Sequence, residues 1–418
     1  MNQLKEILLE YLSRYMQRKG IGLSAEDVSF RKGISFKKLD IDAYGKRVLI
    51  DNLHLKIGII PLLRRKIAMN IVCENITVMP GHLSKTEFCL IRSENNILYD
   101  KQKKDFSISS ILNESIALSF RIIRNVSEKE FFIKADHLSI DKYKQMFNGH
   151  IISSFMKTIC SDSPITILCY YKYNCTSLYP KLKSTFQYDS LKIHPDNSIL
   201  SKEYLIDELR KRKHLAKEYR TLEQIPEIIR RTVICTEDPS FELHKGISPV
   251  LTGMTIRTNI HQKALKRGGS TISMQLIKNA LLNDERTFTR KIEEAILTLL
   301  MENHYLVSKQ DILEVYLNMI EFAPDIYGIE DAARFYFGKT SSRLNIVEVI
   351  VLTYIIPRPK HFYEALLQKT EQLCRNLHQH VRHYLEVALK KDIVTPDEVQ
   401  SIETRTIMFS KRFDKLSI

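Results

Sequence analysis

The sequence predicts an α+β protein of several domains, with a β-rich N-terminal part followed by a mostly α C-terminal part. Three observations carry that reading. Apolar residues alternate with period two from about Val28 to Ile193, they recur at helical spacing after Pro226, and 418 residues suffice for two or three separate cores. A hydrophobic fraction of 44% and a charged fraction of 27% are those of a globular chain.

Residues 1–22 open with Leu4, Ile7, Leu8, Tyr11, Leu12 and Tyr15 at helical spacing and Lys5, Glu10, Arg14 and Arg18 outside them. This predicts an amphipathic docking helix, stopped by Gly20-Ile21-Gly22. Residues 23–199 predict a β-rich accessory domain. Leu53, Leu55 and Ile57 alternate with His54 and Lys56, Ile67, Met69 and Ile71 alternate with Ala68 and Asn70, and Tyr44-Gly45-Lys46 and Met79-Pro80-Gly81 read as turns. Its repeated strand-and-turn pattern resembles the AsmA-like membrane-associated β domains. Residues 200–222, with Lys211-Arg212-Lys213-His214 at their centre, are expected to be a charged helical linker with a solvated face. Residues 223–375 make the next domain, entered by a helix that Pro226 opens. Its apolar run from Val347 to Pro357, which contains Glu348 and Thr353, predicts a buried core helix. Residues 376–418 read as a helical C-terminal extension, with one more helix start at Pro396-Asp397-Glu398.

A formal net charge of +14 favours an anionic partner: nucleic acid, an anionic membrane surface or a pyrophosphate-bearing lipid. No nucleic-acid motif accompanies the charge, which sets the first aside. Seven cysteines without a Cys-x-x-Cys pair indicate neither a zinc site nor a disulfide framework. No stretch reaches the ~20 apolar residues of a spanning helix, and the N-terminus lacks a signal peptide's pattern, so the sequence taken literally reads as cytoplasmic.

The densest chemistry lies between Cys235 and Glu294. Thr236-Glu237-Asp238-Pro239-Ser240-Phe241-Glu242-Leu243-His244-Lys245-Gly246 gathers carboxylates, a histidine and a lysine that no apolar period explains. Arg267-Gly268-Gly269-Ser270-Thr271-Ile272-Ser273-Met274-Gln275-Leu276-Ile277-Lys278-Asn279 follows, a glycine pair and hydroxyls feeding a helix that ends in a cation. A helix start of that kind offers free N–H groups and a positive dipole end to an anion. Arg286, Arg290 and Lys291 add cations ahead of Glu293-Glu294. Read alone, Glu237 would be a paired helix-end carboxylate, His244 a satisfied loop histidine, and Arg290 with Glu294 an ordinary ion pair one turn apart.

In order, Glu-Asp-x-x-Phe-x-x-His-x-Gly, Gly-Gly-Ser-Thr-Ile-x-x-Gln-Leu-x-Lys-Asn and Arg-Lys-x-x-Glu resemble the family 51 glycosyltransferases, the peptidoglycan glycosyltransferases that polymerise lipid II. Ile312-Leu313-Glu314-Val315-Tyr316-Leu317-Asn318, Tyr327-Gly328-Ile329, Ala332-Ala333 and Tyr336-Phe337-Gly338-Lys339 resemble that family's fourth motif, and Leu344 to Pro359 its fifth. The resemblance covers residues 223–375. It implies a lysozyme-like helical domain of the monofunctional type, since no Lys-Thr-Gly element of a transpeptidase is present.

The resemblance also implies roles. Glu237 becomes the general base for the attacking 4-hydroxyl, and Glu294 the second essential carboxylate, which helps to hold the leaving pyrophosphate through Arg290, Lys291 or a divalent ion such as Mg2+. Lys278 and Arg286 become pyrophosphate contacts, Ser270, Thr271 and Gln275 line the donor side, and Asn279 is a further substrate-binding residue. No organic cofactor is implied. The partners would be lipid II, the growing glycan chain, the membrane surface and other cell-wall synthesis proteins, and not nucleic acid. The place would be the outer, periplasmic face of the cell membrane, beneath an upstream anchor. Ser273-Met274 and Ala323 depart from the family's usual Thr-Gln and glycine. The stretch from Ile247 to Ala264, with Val250, Leu251, Met254 and Ile256, is expected to be a membrane-facing flap. A glycan hydrolase and a non-catalytic cell-wall scaffold on the same fold are the competing readings, and the run of cations disfavours the first.

Overall fold

The structure, a computed structural model, describes residues 2–30, 33–43, 46–58, 66–80, 88–102, 105–112, 116–124, 128–138, 140–146, 152–161, 165–174, 181–188, 193–194, 200–248, 251, 269–283, 288–402, 409–410 and 413. It divides into two compact units, Met1–Asn197 with Asp284–Glu293, and Ser198–Asn283 with Glu294–Ile418.

The first unit opens with helix α1 (Asn2–Gln17), which lies against strand β1 (Ile21–Ser24) and is tied to β2 (Asp27–Ser29) by Lys5 on Asp27 at 2.9 Å. Then come β3 (Ile34–Ala43), β4 (Lys46–Ile57), β5 (Lys66–Pro80), β6 (Phe88–Asp100), β7 (Asp105–Leu112), β8 (Ile116–Arg124) and β9 (Glu128–Leu138). Two short helices follow, α2 (Ile140–Met146) and α3 (Ser154–Thr158), before β10 (Ile165–Asn174) and β11 (Lys181–Tyr188). The eleven strands make one antiparallel sheet in the order β1-β3-β4-β5-β6-β7-β8-β9-β10-β11, with β2 also on β3.

Register explains how the apolar face stays continuous. Phe36, Leu53 and Cys73 stand opposite one another, and so do Leu39, Ile50 and Ile76, three residues further along each strand. A strict period of two would turn an odd step to the other face. Between the two rows the pairing skips Lys38, Asp51 and Asn75, and Lys38 and Asn75 take φ of 47° and 50°. The kink restores the phase, as a bulge does, and Asn75 donates to Asp51 at 2.9 Å across it. Leu39, Ile50 and Cys73 form the resulting buried cluster, with Phe36, Leu53 and Ile76 against it.

The second unit is helical. Its helices are α4 (Lys202–Lys211), α5 (Glu227–Glu237), α6 (Ile272–Leu281), α7 (Phe288–Asn303, which spans the division between the units) and α8 (Lys309–Met319). A small antiparallel pair, β12 (Glu321–Ala323) and β13 (Ile326–Tyr327), leads to α9 (Ile329–Phe337), α10 (Ile346–Ile355), α11 (Pro359–Leu367), α12 (Glu371–Lys390) and α13 (Pro396–Ile402). Side-chain caps start several of them, among them Ser201 on Tyr204 N–H, Thr271 on Met274 N–H, Ser308 on Asp311 N–H, Thr370 on Leu373 N–H, and a capping box of Asn345 with Glu348. Helix α10 is buried on every side, as its apolar run predicts, and packs between α5 and α12. Among the described residues no helix is long and apolar enough to cross a membrane.

Residues 200–222 do not behave as a linker. Helix α4 packs on α6 and α8 with Leu205 and Leu209 fully buried, and the segment after it is clamped to α8. Glu314 accepts from Tyr219 Oη (2.8 Å), Leu222 N–H (2.9 Å) and Lys202 Nζ (2.8 Å). Asn318 accepts from Arg220 N–H and donates to its carbonyl, while its own carbonyl takes Ala216 N–H at 2.8 Å. Gly328, at φ 79°, lies where a Cβ would stand 2.5 Å from that of Ala216, so the clamp leaves room for no side chain there. The basic tetrad is also partly absorbed, with Arg212 on the Leu282 carbonyl (2.6 Å) and His214 stacked on Tyr327. A charge run could not announce these partners, since none is close in sequence. The extension beyond 376 likewise contributes to the core, where Phe409 and Phe413 pack on Tyr336.

Candidate active site

Glu237 is the last residue of α5, and the chain turns sharply at Asp238. Asp238 is fully buried and accepts from His244 Nε2 (2.9 Å) and from the N–H of Ile272 at the start of α6 (3.2 Å). Thr271 Oγ1 donates to the Gly246 carbonyl at 2.6 Å, and Gly246, at φ 93°, approaches Thr298 so closely that a Cβ would meet it at 3.0 Å. The loop with the carboxylates and the start of the glycine-rich motif are thus one hydrogen-bonded piece. Asp238 and His244 orient it. Thr271, expected on the donor side, instead caps α6 from a fully buried position.

Gln275, one turn into α6, donates Nε2–H to Glu237 Oε2 at 3.1 Å, and its Oε1 accepts from Tyr316 Oη at 3.1 Å. Burial pushes the Glu237 carboxyl up to about 7; Gln275 opposes the rise and the charge of Asp238 adds to it. A cavity of about 690 Å³ reaches this carboxylate, lined also by Tyr354, Arg358, His361, His380 and Tyr384. Burial pushes His380 down to about 4, so it is neutral at physiological pH. A carboxyl that burial raises toward neutrality in the lining of a cavity is a group that can take a proton.

Lys278, Asn279 and Ser270 are half-buried, with Asn279 Nδ2 3.3 Å from Met319 Sδ. Arg286 lies outside the described residues, as do Arg267, Gly268, Val250 and Met254. Arg290 and Lys291 precede Glu294 by a turn or less on α7 and belong to the first unit. The adjacent carboxylates of α7 part company: Glu293 accepts the Ser153 N–H within the first unit on both oxygens at 3.2 Å, whereas Glu294 is buried in the second. Glu293 therefore has a structural partner, which periodicity could not reveal.

Two departures from the family pattern prove to be internal. Ser273 is fully buried on Glu302, which also holds Lys309 at 2.7 Å, and Met274 is buried in the core. Ala323 is buried in β12 without positive φ, which falls instead on Asp325 and Gly328. Leu251, expected on a membrane-facing flap, is buried and donates its N–H to Ser248. Tyr316 is the residue that sequence reasoning passed over. Its signal was a second polar group, after Glu314, inside the mostly apolar Ile312–Leu317 run that Asn318 follows. Among the described residues no three His, Cys, Asp or Glu side chains converge as metal ligands.

A transglycosylase family model matches residues 202–382. The chain is 42% identical over 151 residues to a biosynthetic peptidoglycan transglycosylase of Nitrosomonas eutropha, covering 36% of this chain and 61% of the relative. It is 39% identical over 176 residues to a protein of the same name from Shewanella oneidensis, covering 42% of this chain and 74% of that one. It is 40% identical over 135 residues to penicillin-binding protein 1A/1B of Bacillus subtilis, covering 32% of this chain and 15% of the relative. The chain thus spans less than two thirds of the length of the first and last of these.

Proposed function

This chain belongs to the transglycosylase family, and from that premise we propose that it is a peptidoglycan glycosyltransferase that polymerises lipid II on a lysozyme-like helical domain. The acceptor's GlcNAc 4-hydroxyl oxygen bonds to the donor's anomeric carbon with inversion. The bond from that carbon to undecaprenyl pyrophosphate breaks, and the pyrophosphate leaves with the electron pair. Glu237 takes the hydroxyl proton. The observation that carries this reading is the half-buried Glu237, raised to about 7 by burial and lining a cavity of about 690 Å³. A base with that pKa is largely ionised just above neutral pH yet still basic enough to accept a proton in the transition state.

The acceptor sugar enters through the cavity that Tyr354, Arg358 and Tyr384 help to line. Lys278, Arg286, Arg290 and Lys291 stabilise the charge that develops on the leaving pyrophosphate, with Glu294 ordering the cations of its own helix. Ser270 and Gln275 lie at or near the start of α6 and Asn279 in its last turn, and these side chains contact the substrate from that helix. The described side chains do not by themselves build a divalent-metal site, and no step here is routed through a metal ion. The enzyme would work on the outer face of the membrane, where its polyprenyl substrate resides, with other cell-wall synthesis proteins as partners and the β-rich unit as an accessory domain.

Labelled lipid II, incubated with the protein and resolved on a gel, tests the reading. Polymer is the expected product. Fragments of preformed glycan would mean a hydrolase, and no change with either substrate a scaffold.

A further inference from the structure

We propose that Tyr316 is a positioning residue for this reaction: by donating to Gln275 it fixes the side-chain amide with its N–H toward Glu237 Oε2, leaving Oε1 as the oxygen that takes the proton. The inference rests on the glycosyltransferase reading and goes beyond it, since Tyr316 touches neither substrate nor Glu237 by hydrogen bond.

The argument is one of donors and acceptors. A tyrosine hydroxyl has one hydrogen to give, and a glutamine side chain has an accepting oxygen at one end and a donating nitrogen at the other. Tyr316 is fully buried on α8 with Gln275 as its hydrogen-bond partner. Its hydroxyl is therefore satisfied as a donor only while Oε1 of Gln275 points toward it. That orientation presents Nε2–H to Glu237, which suits the ionised carboxylate. Remove the phenol hydroxyl and the amide is free to turn over. Its carbonyl oxygen would then accept from a protonated Glu237 and so favour the acid.

The other titratable groups around Glu237 do not replace this control. Asp238 follows it on the same turn, and Tyr354, Arg358, His361, Glu364, His380 and Tyr384 line the cavity from α10, α11 and α12. None of these is hydrogen-bonded to the carboxylate in the structure, whereas Gln275 is.

The test compares wild type, Tyr316→Phe, Gln275→Met and the double variant by kcat and KM against pH, and by 13C NMR titration of the Glu237 carboxyl in each. In Tyr316→Phe the acidic limb of kcat should move up by about one pH unit, which lowers the rate near pH 6 by roughly tenfold. KM should hold, and the rate should recover at high pH. Adding Tyr316→Phe to Gln275→Met should move the limb no further, because the phenol acts through the amide. A uniform fall at every pH with an unmoved limb would mean that the hydroxyl only supports the fold, and would overturn the proposal. If Tyr316→Phe does not fold, an unmoved Glu237 titration in Gln275→Met overturns it equally. The titration needs no turnover, so a wild type that makes no polymer would refute the glycosyltransferase reading while the relay is still decided by NMR.

Discussion

In the first unit Ile57, Ile67, Leu98 and Ile111 stand exposed on β4 to β7, whereas in the second every apolar residue of α6 and α8 is buried. A single sheet has two faces, and one layer cannot seal both. Helices packed in several layers around α10 can seal polar groups as well, and they do so with carboxylates: Asp238, Glu302, Glu314, Glu330 and Glu348 are all buried with partners. Desolvation of that kind lifts a carboxyl whose partners are few, and Glu237 is such a case. The comparison teaches that the helical unit buries carboxylates in number, whereas those described as buried in the first unit, Asp100 and Glu293, are each held by a partner, Lys66 and the Ser153 N–H.

The largest effect should come from cutting the second unit in the wrong place. A fragment of residues 198–418 should melt cooperatively, whereas 223–418 should not. The shorter one strips Glu314 and Asn318 of their partners from 202–222, and leaving even one buried charge unpaired costs about 3–5 kcal/mol. Calorimetry of both fragments decides the point, and equal melting would return 200–222 to the status of a linker.

Next comes Glu237→Gln, which should lower polymerisation by ~100-fold to ~10,000-fold with the fold intact. Glu294→Gln should be severely impaired, and Glu293→Gln should instead lower the melting temperature, because it weakens the hold on Ser153. Turnover that survives in Glu294→Gln and dies in Glu293→Gln would reverse the assignment.

Packing should separate the units by a smaller margin. Leu209→Ala, at a fully buried site, should cost about 2–5 kcal/mol in denaturant unfolding. Ile67→Ala, 41% exposed, should cost under about 1 kcal/mol. Equal losses would mean that the sheet face is covered after all.

The pH dependence of Glu237 has a definite sign. Its folded value, about 7, exceeds the unfolded 4.5, so between them the folded state binds more protons and stability falls as pH rises. The rate runs the other way, since the ionised base is the active form and activity is lost as pH falls through about 7. Glu237→Gln should therefore raise stability at pH 8 by up to about 3 kcal/mol while removing activity. Thermal melts at pH 5 and pH 8 check this, the gain being much larger at the higher pH.

The smallest effect concerns the membrane surface. Ile7, Tyr11 and Tyr15 are exposed at successive turns of α1. Flotation on anionic vesicles should fall with salt, each Lys or Arg near the lipid contributing roughly 1 kcal/mol, and should weaken in Ile7→Ser with Tyr11→Ser. Binding unchanged in that variant would place any lipid contact elsewhere.

By itself the sequence determined the division into a β-rich and a helical region, because periods of two and of 3.6 are local properties. It also determined the candidates Glu237, Gln275 and Glu294, because their motifs are written in consecutive residues. Tertiary structure decided what those side chains meet. Glu237 is 38 residues from Gln275, and Gln275 is 41 from Tyr316. Nothing in a local pattern says that three such groups will share a hydrogen-bonded line, or that Glu293 will turn toward Ser153, 140 residues away. The phase shift at Lys38, Asp51 and Asn75 was hidden for the same reason, since pairing between strands, and not any one strand's alternation, sets which residues share a face. The raised pKa of Glu237 was least legible of all, because it arises from the solvent that packing excludes, and the sequence does not list what is excluded.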